Sequence, residues 1–144
     1  MIYQTERSEN YVKYTFHQTK TKITNVEFKL YGDDHVNEAV VITLENGAII
    51  SLGHKQNCCE EVTLADGLNE LKDLAWSELQ YIEITSEMRE GDEHSFVKIQ
   101  TNRDSANLRW VGYSMNYSTE VEMYVDKSNI PENIKSEMNS LIIG

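Results

Sequence analysis

Apolar and polar residues alternate along most of the chain, which is the pattern of half-buried β-strands. Two such runs flank Asn46-Gly47. Because Asn-Gly supplies the two positive-φ residues of a type I′ turn, the sequence predicts a hairpin at this point. We expect its core-facing positions to be Val40, Ile42, Leu44, Ala48, Ile50 and Leu52.

Shorter alternating runs predict further strands over residues 11–16, 26–30, 79–84, 96–100, 106–113 and 121–125. In the second of these runs we expect Val26, Phe28 and Leu30 to face the core. In the return strand of the hairpin around residues 102–105, we expect Trp110 to face the core beside Leu108. Residues 88–93 are predicted to be a charged loop.

Two segments have helical spacing instead. Residues 68–75 place leucines on one face, and Asp66 is the predicted N-terminal cap. Pro131-Glu132 begins a predicted C-terminal helix over residues 129–143. Its apolar stripe consists of Ile134, Met138, Leu141 and Ile142.

Together these elements predict an α+β fold dominated by an antiparallel sheet of about seven strands. The sheet could be a partly open barrel or a two-layer sandwich, with a short central helix and a C-terminal helix. With 144 residues, we expect one domain over residues 1–144. It divides into an N-terminal segment (1–20), a β-rich core (21–126) and the C-terminal helix (129–143).

Composition narrows the cellular setting. No apolar run approaches the ~20 residues that span a bilayer, and the first residues lack the features of a secretory signal. The two cysteines, Cys58 and Cys59, are adjacent, and a disulfide between neighbours requires strained geometry. We therefore expect reduced or metal-bound thiols and a cytoplasmic protein.

The formal net charge of −11 is unevenly distributed. Residues 1–29 carry five basic and three acidic side chains, whereas residues 60–93 carry eleven acidic against two basic, a net of −9. An acidic surface repels phosphates, so we expect no direct nucleic-acid binding. It could attract a basic partner or simply maintain solubility. The candidate partner-binding residues are Glu60, Glu61, Glu70, Asp73, Glu78, Glu83, Glu87, Glu90, Asp92 and Glu93.

The segment 53–60 concentrates reactive side chains. His54, Cys58 and Cys59 are suitable zinc ligands, with Asp66 as a candidate fourth, and such a zinc would be structural. Alternatively, the cysteines are small buried apolar residues, or one of them is a nucleophile activated by His54. The nucleophile interpretation lacks an evident residue to orient the imidazole, and the surrounding negative charge raises a thiol pKa.

Arg109 and Tyr113 share the outward side of a predicted strand. They could bind a ligand or pair with acidic neighbours across the sheet.

Two blocks resemble a family of phage and prophage domains that has no assigned activity. The first is the G-H-x3-C-C-E turn at residues 53–60, and the second is the R-W-x-G-x-S block at residues 109–114. The similarity extends from about Ile23 to Val125. It implies a mobile-element setting, in which small acidic proteins, including anti-CRISPR proteins, often inhibit host machinery. This chain differs in its basic N-terminal segment, its predicted C-terminal helix and Met115.

The main functional hypothesis is therefore a non-enzymatic inhibitor in the bacterial host cytoplasm, a monomer or weak dimer. It would bind a basic nucleic-acid-handling protein, such as a CRISPR effector nuclease. The alternative is a small metal- or thiol-dependent enzyme, or a small-molecule-binding module, centred on His54, Cys58 and Cys59. A third hypothesis is a scaffold domain in which the apolar stripe of the C-terminal helix is a dimer contact.

Overall fold

The computed structural model describes residues 2–8, 11–31, 37–54, 62–89, 92–112, 119 and 121–126. They form nine strands and one short 3₁₀ helix. In chain order these are β1 (Ile2–Ser8), β2 (Tyr11–Tyr31), β3 (Asn37–Leu44), β4 (Ile49–Gly53), β5 (Val62–Asp66), the 3₁₀ helix (Leu68–Leu74), β6 (Glu78–Arg89), β7 (Asp92–Thr101), β8 (Ser105–Gly112) and β9 (Glu122–Asp126).

All nine strands belong to one antiparallel sheet, in the order β5-β8-β7-β6-β2-β3-β4-β9, with β1 on β2. The first half of β2 pairs with β1 and β6, and its second half pairs with β3. The strand order does not close on itself, so the sheet is open. The predicted number of about seven strands was too low. Residues 2–8, which lack apolar alternation, form β1, and residues 62–66 form β5, whereas the predicted strands over residues 11–16 and 26–30 are one strand, β2.

The core is one continuous cluster to which both halves of the sheet contribute. Leu108 and Trp110 face it at 1% and 0% exposure, which confirms the predicted direction of β8. Alternation also holds in β4 and β7. The predicted inward residues of the first hairpin are all buried. The largest fully buried side chains are Trp110, Ile23, Ile42, Leu44, Ile50, Leu52, Leu74, Leu79, Ile82, Ile99, Leu108 and Val40.

The hairpin between β3 and β4 lies where Asn46-Gly47 predicts it, but its turn is not type I′. Gly47 has a φ of 96°, whereas the φ of Asn46 is not positive. The Gly47 N–H donates to Leu44 O, and the Leu44 N–H donates to Ala48 O. This is a three-residue loop that ends in a left-handed glycine. The sequence indicated the place of the turn and the need for glycine, but not the loop length.

The predicted central helix is present as the 3₁₀ helix, which buries Leu71 and Leu74. Its N-cap is Gly67, with a φ of 104° and no side-chain capping bond, so the prediction of Asp66 as the cap was wrong. The backbone approaches β8 closely here, since a Cβ at position 67 would lie 2.2 Å from Asn107 O. Glycine is therefore required at this position for both conformation and space.

Two other predictions need correction. Phe28 and Leu30 are 39% and 62% exposed rather than buried, and they lie in the part of β2 that extends past its pairing with β6. Residues 88–93 are largely strand rather than loop, since β6 and β7 continue until Arg89 lies opposite Asp92.

The predicted C-terminal helix lies outside the described residues. The one helix in the described ranges is too short to span a membrane.

Candidate functional site

Glu83 and Glu87 lie on the outward side of β6. This strand alternates, so Ile82 and Ile84 point into the core while Glu83 and Glu87 point away from it. Each glutamate has a counterpart on β7, since Glu83 is opposite Lys98 and Glu87 is opposite His94. The acidic side chains of β6 therefore lie next to Lys98 and His94 of β7.

Aromatic rings complete this outward face. Lys98 Nζ lies 5.9 Å from the centre of the Tyr81 ring, which is within the range of a cation–π contact. The rings of His94 and Phe96 are nearly parallel, at 14°, with centres 6.3 Å apart. We call Tyr81, Glu83, Glu87, His94, Phe96 and Lys98 the β6–β7 outward face.

Three other acidic residues of the 60–93 segment are engaged within the chain. Asp66 Oδ2 is 2.7 Å from Arg109 Nη2. Glu70 Oε2 accepts a hydrogen bond of 2.8 Å from the Asn107 N–H, which fastens the 3₁₀ helix to β8. These two carboxylates therefore hold neighbouring elements of the fold together.

Glu93 is engaged differently, at the end of a buried chain of hydroxyl groups. Its Oε1 accepts hydrogen bonds from the N–H and O–H of Thr119, at 3.1 and 3.3 Å. The Ser95 hydroxyl oxygen lies 2.9 Å from that of Thr119 and 2.9 Å from that of Ser86. Ser95 and Thr119 are both 0% exposed.

Sequence reasoning missed this buried hydroxyl chain. One signal was available, because Ser95 has the same parity as Val97 and Ile99 and must therefore point inward. Trp110 lies opposite Ser95 in the β7–β8 ladder. Its buried indole N–H has no hydrogen-bond partner in the described ranges.

The remaining predicted partner-binding residues are dispersed. Asp73 is exposed on the 3₁₀ helix, and Glu78 begins β6, where its N–H donates to Asn102 Oδ1. Asp92 has a described backbone only, while Glu60, Glu61 and Glu90 lie outside the described residues. The structure therefore distributes the acidic segment over β6, the 3₁₀ helix and the start of β7.

The predicted metal site is only partly described. His54 directly follows β4 and is 7% exposed, whereas Cys58 and Cys59 lie outside the described residues. Asp66 ends β5, about 13 Å along the strand from Val62 where the cysteine segment joins it, and its carboxylate contacts Arg109. No group of three His, Cys, Asp or Glu side chains that could hold a metal ion occurs in the described ranges.

Arg109 and Tyr113 were predicted as a possible ligand face. Arg109 does lie on the outward side of β8, where it is paired with Asp66 across the β5–β8 ladder. This contact corresponds to the alternative of pairing with an acidic neighbour. Tyr113 lies outside the described residues.

The fold and this site define a small antiparallel β-domain with a mixed charged and aromatic outward face. A family model described as a domain of unknown function (DUF7448) matches residues 22–123, and the chain belongs to this family. The match agrees with the predicted membership of a family that has no assigned activity. No curated protein and no solved structure matches the chain.

Proposed function

We propose that this chain is a non-enzymatic protein-binding module that uses acidic side chains of the 60–93 segment to bind a basic protein surface. The observation that carries the proposal is the outward position of Glu83 and Glu87 on β6. This strand lies in the sheet interior, between β2 and β7. The strand is therefore held by hydrogen-bonded neighbours on both sides.

The support is physical. Glu83 and Glu87 are held about 13 Å apart by a paired strand whose other side is buried. Because the backbone of a paired strand is already ordered, binding pays no further backbone ordering cost, which favours affinity. Their charges also steer a basic partner toward the face and make association sensitive to salt.

The neighbours of the two glutamates would supply specificity. Tyr81 and Phe96 flank the carboxylates on the same face, and aromatic residues are common anchors of protein interfaces. A basic partner would approach Glu83 beside Lys98. The basic groups of the partner must therefore be placed so that they contact Glu83 and avoid the positive charge of Lys98. The proposal therefore favours a partner with a defined arrangement of basic groups over any polycation.

The resemblance to phage and prophage domains extends the proposal. In that setting the partner is a host protein that handles nucleic acid, such as a CRISPR effector nuclease. The chain would act in the bacterial cytoplasm, occupy a cleft that normally holds DNA or RNA, and bind neither nucleic acid nor membrane itself. An acidic occupant of such a cleft competes with nucleic acid for the same basic side chains.

The test compares two doubly neutralised variants. Glu83→Gln with Glu87→Gln removes both carboxylates of the β6–β7 outward face, while Glu45→Gln with Asp104→Asn removes two carboxylates outside the 60–93 segment. Each tagged protein is used to capture partners from a bacterial lysate at low and high salt, with identification by mass spectrometry. We expect a nucleic-acid-binding protein that the wild type and the second variant retain and the first variant loses.

Addition of duplex DNA to the captured complex should release the partner if it is held through its nucleic-acid cleft. Equal retention by both variants, or capture that is indifferent to salt, would refute the role of the acidic segment. A partner that DNA does not displace would refute occupation of the cleft.

A second candidate function is favoured by the burial of His54 at the start of the cysteine segment. An imidazole and two thiols within one short segment are suited to a structural zinc site, or to a small thiol-dependent enzyme or ligand-binding module. Elemental analysis of the purified chain should then give stoichiometric zinc, with loss of stability after chelation. A metal-free chain whose thiols show no raised reactivity toward alkylating reagents would eliminate this candidate.

A further inference from the structure

The second half of β2 is an open sheet edge in the described part of the chain. Residues 23–31 pair with β3 on one side. On the other side, pairing with β6 ends at Lys22, and the last backbone bonds join Ile23 to Trp76 and Ser77. We call the unpaired side of residues 24–31 the open β2 edge. Asn25, Glu27, Phe28, Lys29 and Leu30 are all exposed.

The directions of the backbone groups along this edge follow from alternation. The Leu44 N–H donates to Ala48 O within the β3–β4 hairpin, so even-numbered residues of β3 bond to β4 and odd-numbered residues bond to β2. The odd residues of β3 pair with odd residues of β2, such as Val41 with Glu27.

It follows that the N–H and C=O groups of Val26, Phe28 and Leu30 point toward the open side. The backbone N–H and C=O of Ile23 also point to this side, because the β2–β3 register shifts between Ile23 and Asn25. Val26, Phe28 and Leu30 therefore each present a hydrogen-bond donor and an acceptor to a further strand.

We propose that the open β2 edge binds the same edge of a second copy of this chain, as an antiparallel pair centred on Phe28. This register uses the free backbone groups of Val26, Phe28 and Leu30 in both copies. It places Glu27 opposite Lys29 of the second copy, and Lys29 opposite its Glu27. The strand is therefore complementary in charge to itself.

The side chains agree with this register. Glu27 and Lys29 occupy the pairs without backbone hydrogen bonds, where opposite Cα atoms are closest, at about 4.5 Å. Within one chain Lys29 Nζ already lies 3.3 Å from Glu27 Oε2, so the dimer forms a square of alternating charges. On the other side, Val26 meets Leu30 of the second copy and Phe28 meets Phe28, which covers the two exposed apolar side chains.

Other registers are less favourable. A pair centred on Val26 places Asn25 opposite Glu27 and leaves Lys29 without an acidic counterpart. It also brings Leu30 opposite Lys22, whose carbonyl already accepts from the Glu45 N–H. β9, a second sheet edge, is acidic at both ends, so an antiparallel self-pair would place Glu122 opposite Asp126. The open β2 edge also belongs to residues 1–29, the part of the chain with a positive charge balance.

A dimer of this kind should be weak. The pair contributes about six backbone hydrogen bonds and a strip of side chains, which is smaller than the ~1,600 Å² of a standard interface. Each copy also carries a net charge of −11, so the two copies repel at long range at low salt. We therefore expect association that depends on concentration and strengthens at moderate salt.

The test is a charge exchange on the full chain, followed by sedimentation velocity over about three decades of concentration. Glu27→Lys and Lys29→Glu each place like charges at both cross-pairs, and we expect each to weaken self-association about tenfold. An equimolar mixture of the two variants restores opposite charges at both cross-pairs. The mixture should recover wild-type association.

Lys22→Glu is the matched control, because it changes the net charge as Lys29→Glu does but lies on the same strand before the open edge. It should leave the dissociation constant within about threefold of the wild-type value. Circular dichroism confirms that each variant is folded.

A wild type that stays monomeric at every concentration overturns the proposal. A dimer that survives both single variants also overturns it and would indicate a different contact, as would a mixture that remains monomeric. The test is separate from that of the proposed function, because Glu83 and Glu87 are not altered.

Discussion

The β5 edge and the open β2 edge present the same kind of backbone groups, but only the β5 edge is covered by a side chain. The Leu64 N–H of β5 donates to the Glu38 carboxylate, which reaches it from β3. Along the open β2 edge, the described part of the chain places no such acceptor. One edge of the sheet is therefore occupied from within the fold, whereas the other is left to a further strand.

The difference does not arise from the strands themselves, since both alternate apolar and polar residues. It arises from which side chain of a neighbouring strand comes within reach. Natural sheets protect exposed edges in this way, because an uncovered edge pairs with another chain. Of the two edges, the uncovered one is also the one whose charges are complementary to themselves.

The largest expected effect is at Gly67, which directly follows β5. Gly67→Ala should destabilise the protein by about 4 kcal/mol or more, because the added Cβ meets backbone of β8 in addition to its strained φ. Gly47→Ala, at a φ of 96°, should cost only about 1–2 kcal/mol for the conformation alone. Urea denaturation measures both, and equal losses would contradict the close approach of position 67 to β8.

Proline substitutions test the direction of the backbone at the open β2 edge. Glu27→Pro removes an N–H that bonds to β3 and should cost about 3 kcal/mol. Phe28→Pro removes an N–H that points outward, so it should cost less than about 1 kcal/mol while abolishing self-association. Urea denaturation and sedimentation velocity of both variants measure these effects. A larger loss of stability at position 28 than at position 27 would mean that the backbone groups of Phe28, not those of Glu27, bond to β3.

Removal of the cover from the β5 edge should have an intermediate effect. Glu38→Ala leaves the Leu64 N–H without its acceptor and should cost about 2 kcal/mol. Glu38→Gln keeps an acceptor and should cost less than half of that. The alanine variant should also gain concentration-dependent light scattering. If it does not, this edge is protected by something other than the carboxylate.

The smallest effect concerns protonation of Glu27. Hydrogen bonds from the Asn25 and Lys29 side chains, together with the charge of Lys29, lower the pKa of Glu27 below its ordinary value of 4.5. A lowered carboxyl pKa stabilises the folded state above about pH 4.5, and the contribution is lost as the pH falls through the folded value.

The stability difference between the wild type and Glu27→Gln should therefore be larger at pH 6 than at pH 3. Urea midpoints at both pH values, taken at a concentration too low for association, measure this change. Because Glu27 is exposed, added salt should reduce the difference. A difference that is constant with pH would mean that Lys29 does not hold the carboxylate.

Local patterns were good guides to local structure. The hairpin at Asn46-Gly47, the inward direction of Trp110 and the helical turn before Leu74 all depend on residues close in sequence. The N-cap and the turn type were predicted incorrectly, because a contact between Gly67 and Asn107 and a three-residue loop determine them. The exposure of Phe28 was missed because alternation gives the side of a strand but not whether anything covers that side.

The candidate site was predictable in composition but not in arrangement. The sequence identifies the acidic segment, yet nothing in it indicates that Glu70 bonds to the Asn107 N–H or that Glu93 accepts from Thr119. Those partners lie 37 and 26 residues away along the chain. Only Glu83 lay within a strand that was predicted in advance. Glu87 shares its outward face because β6 continues to Arg89.

The sequence by itself determined which segments are strands and which side of most of them is apolar, since both follow from the identity of neighbouring residues. Tertiary structure decided which strand is an edge, which partners Asp66, Glu70 and Glu93 have, and where β2 extends beyond its pairing with β6. These depend on pairings between distant segments, whose free energies come from contacts that no local pattern contains. For this chain, the place of a strand in the sheet determines whether its exposed groups are structural or available for binding.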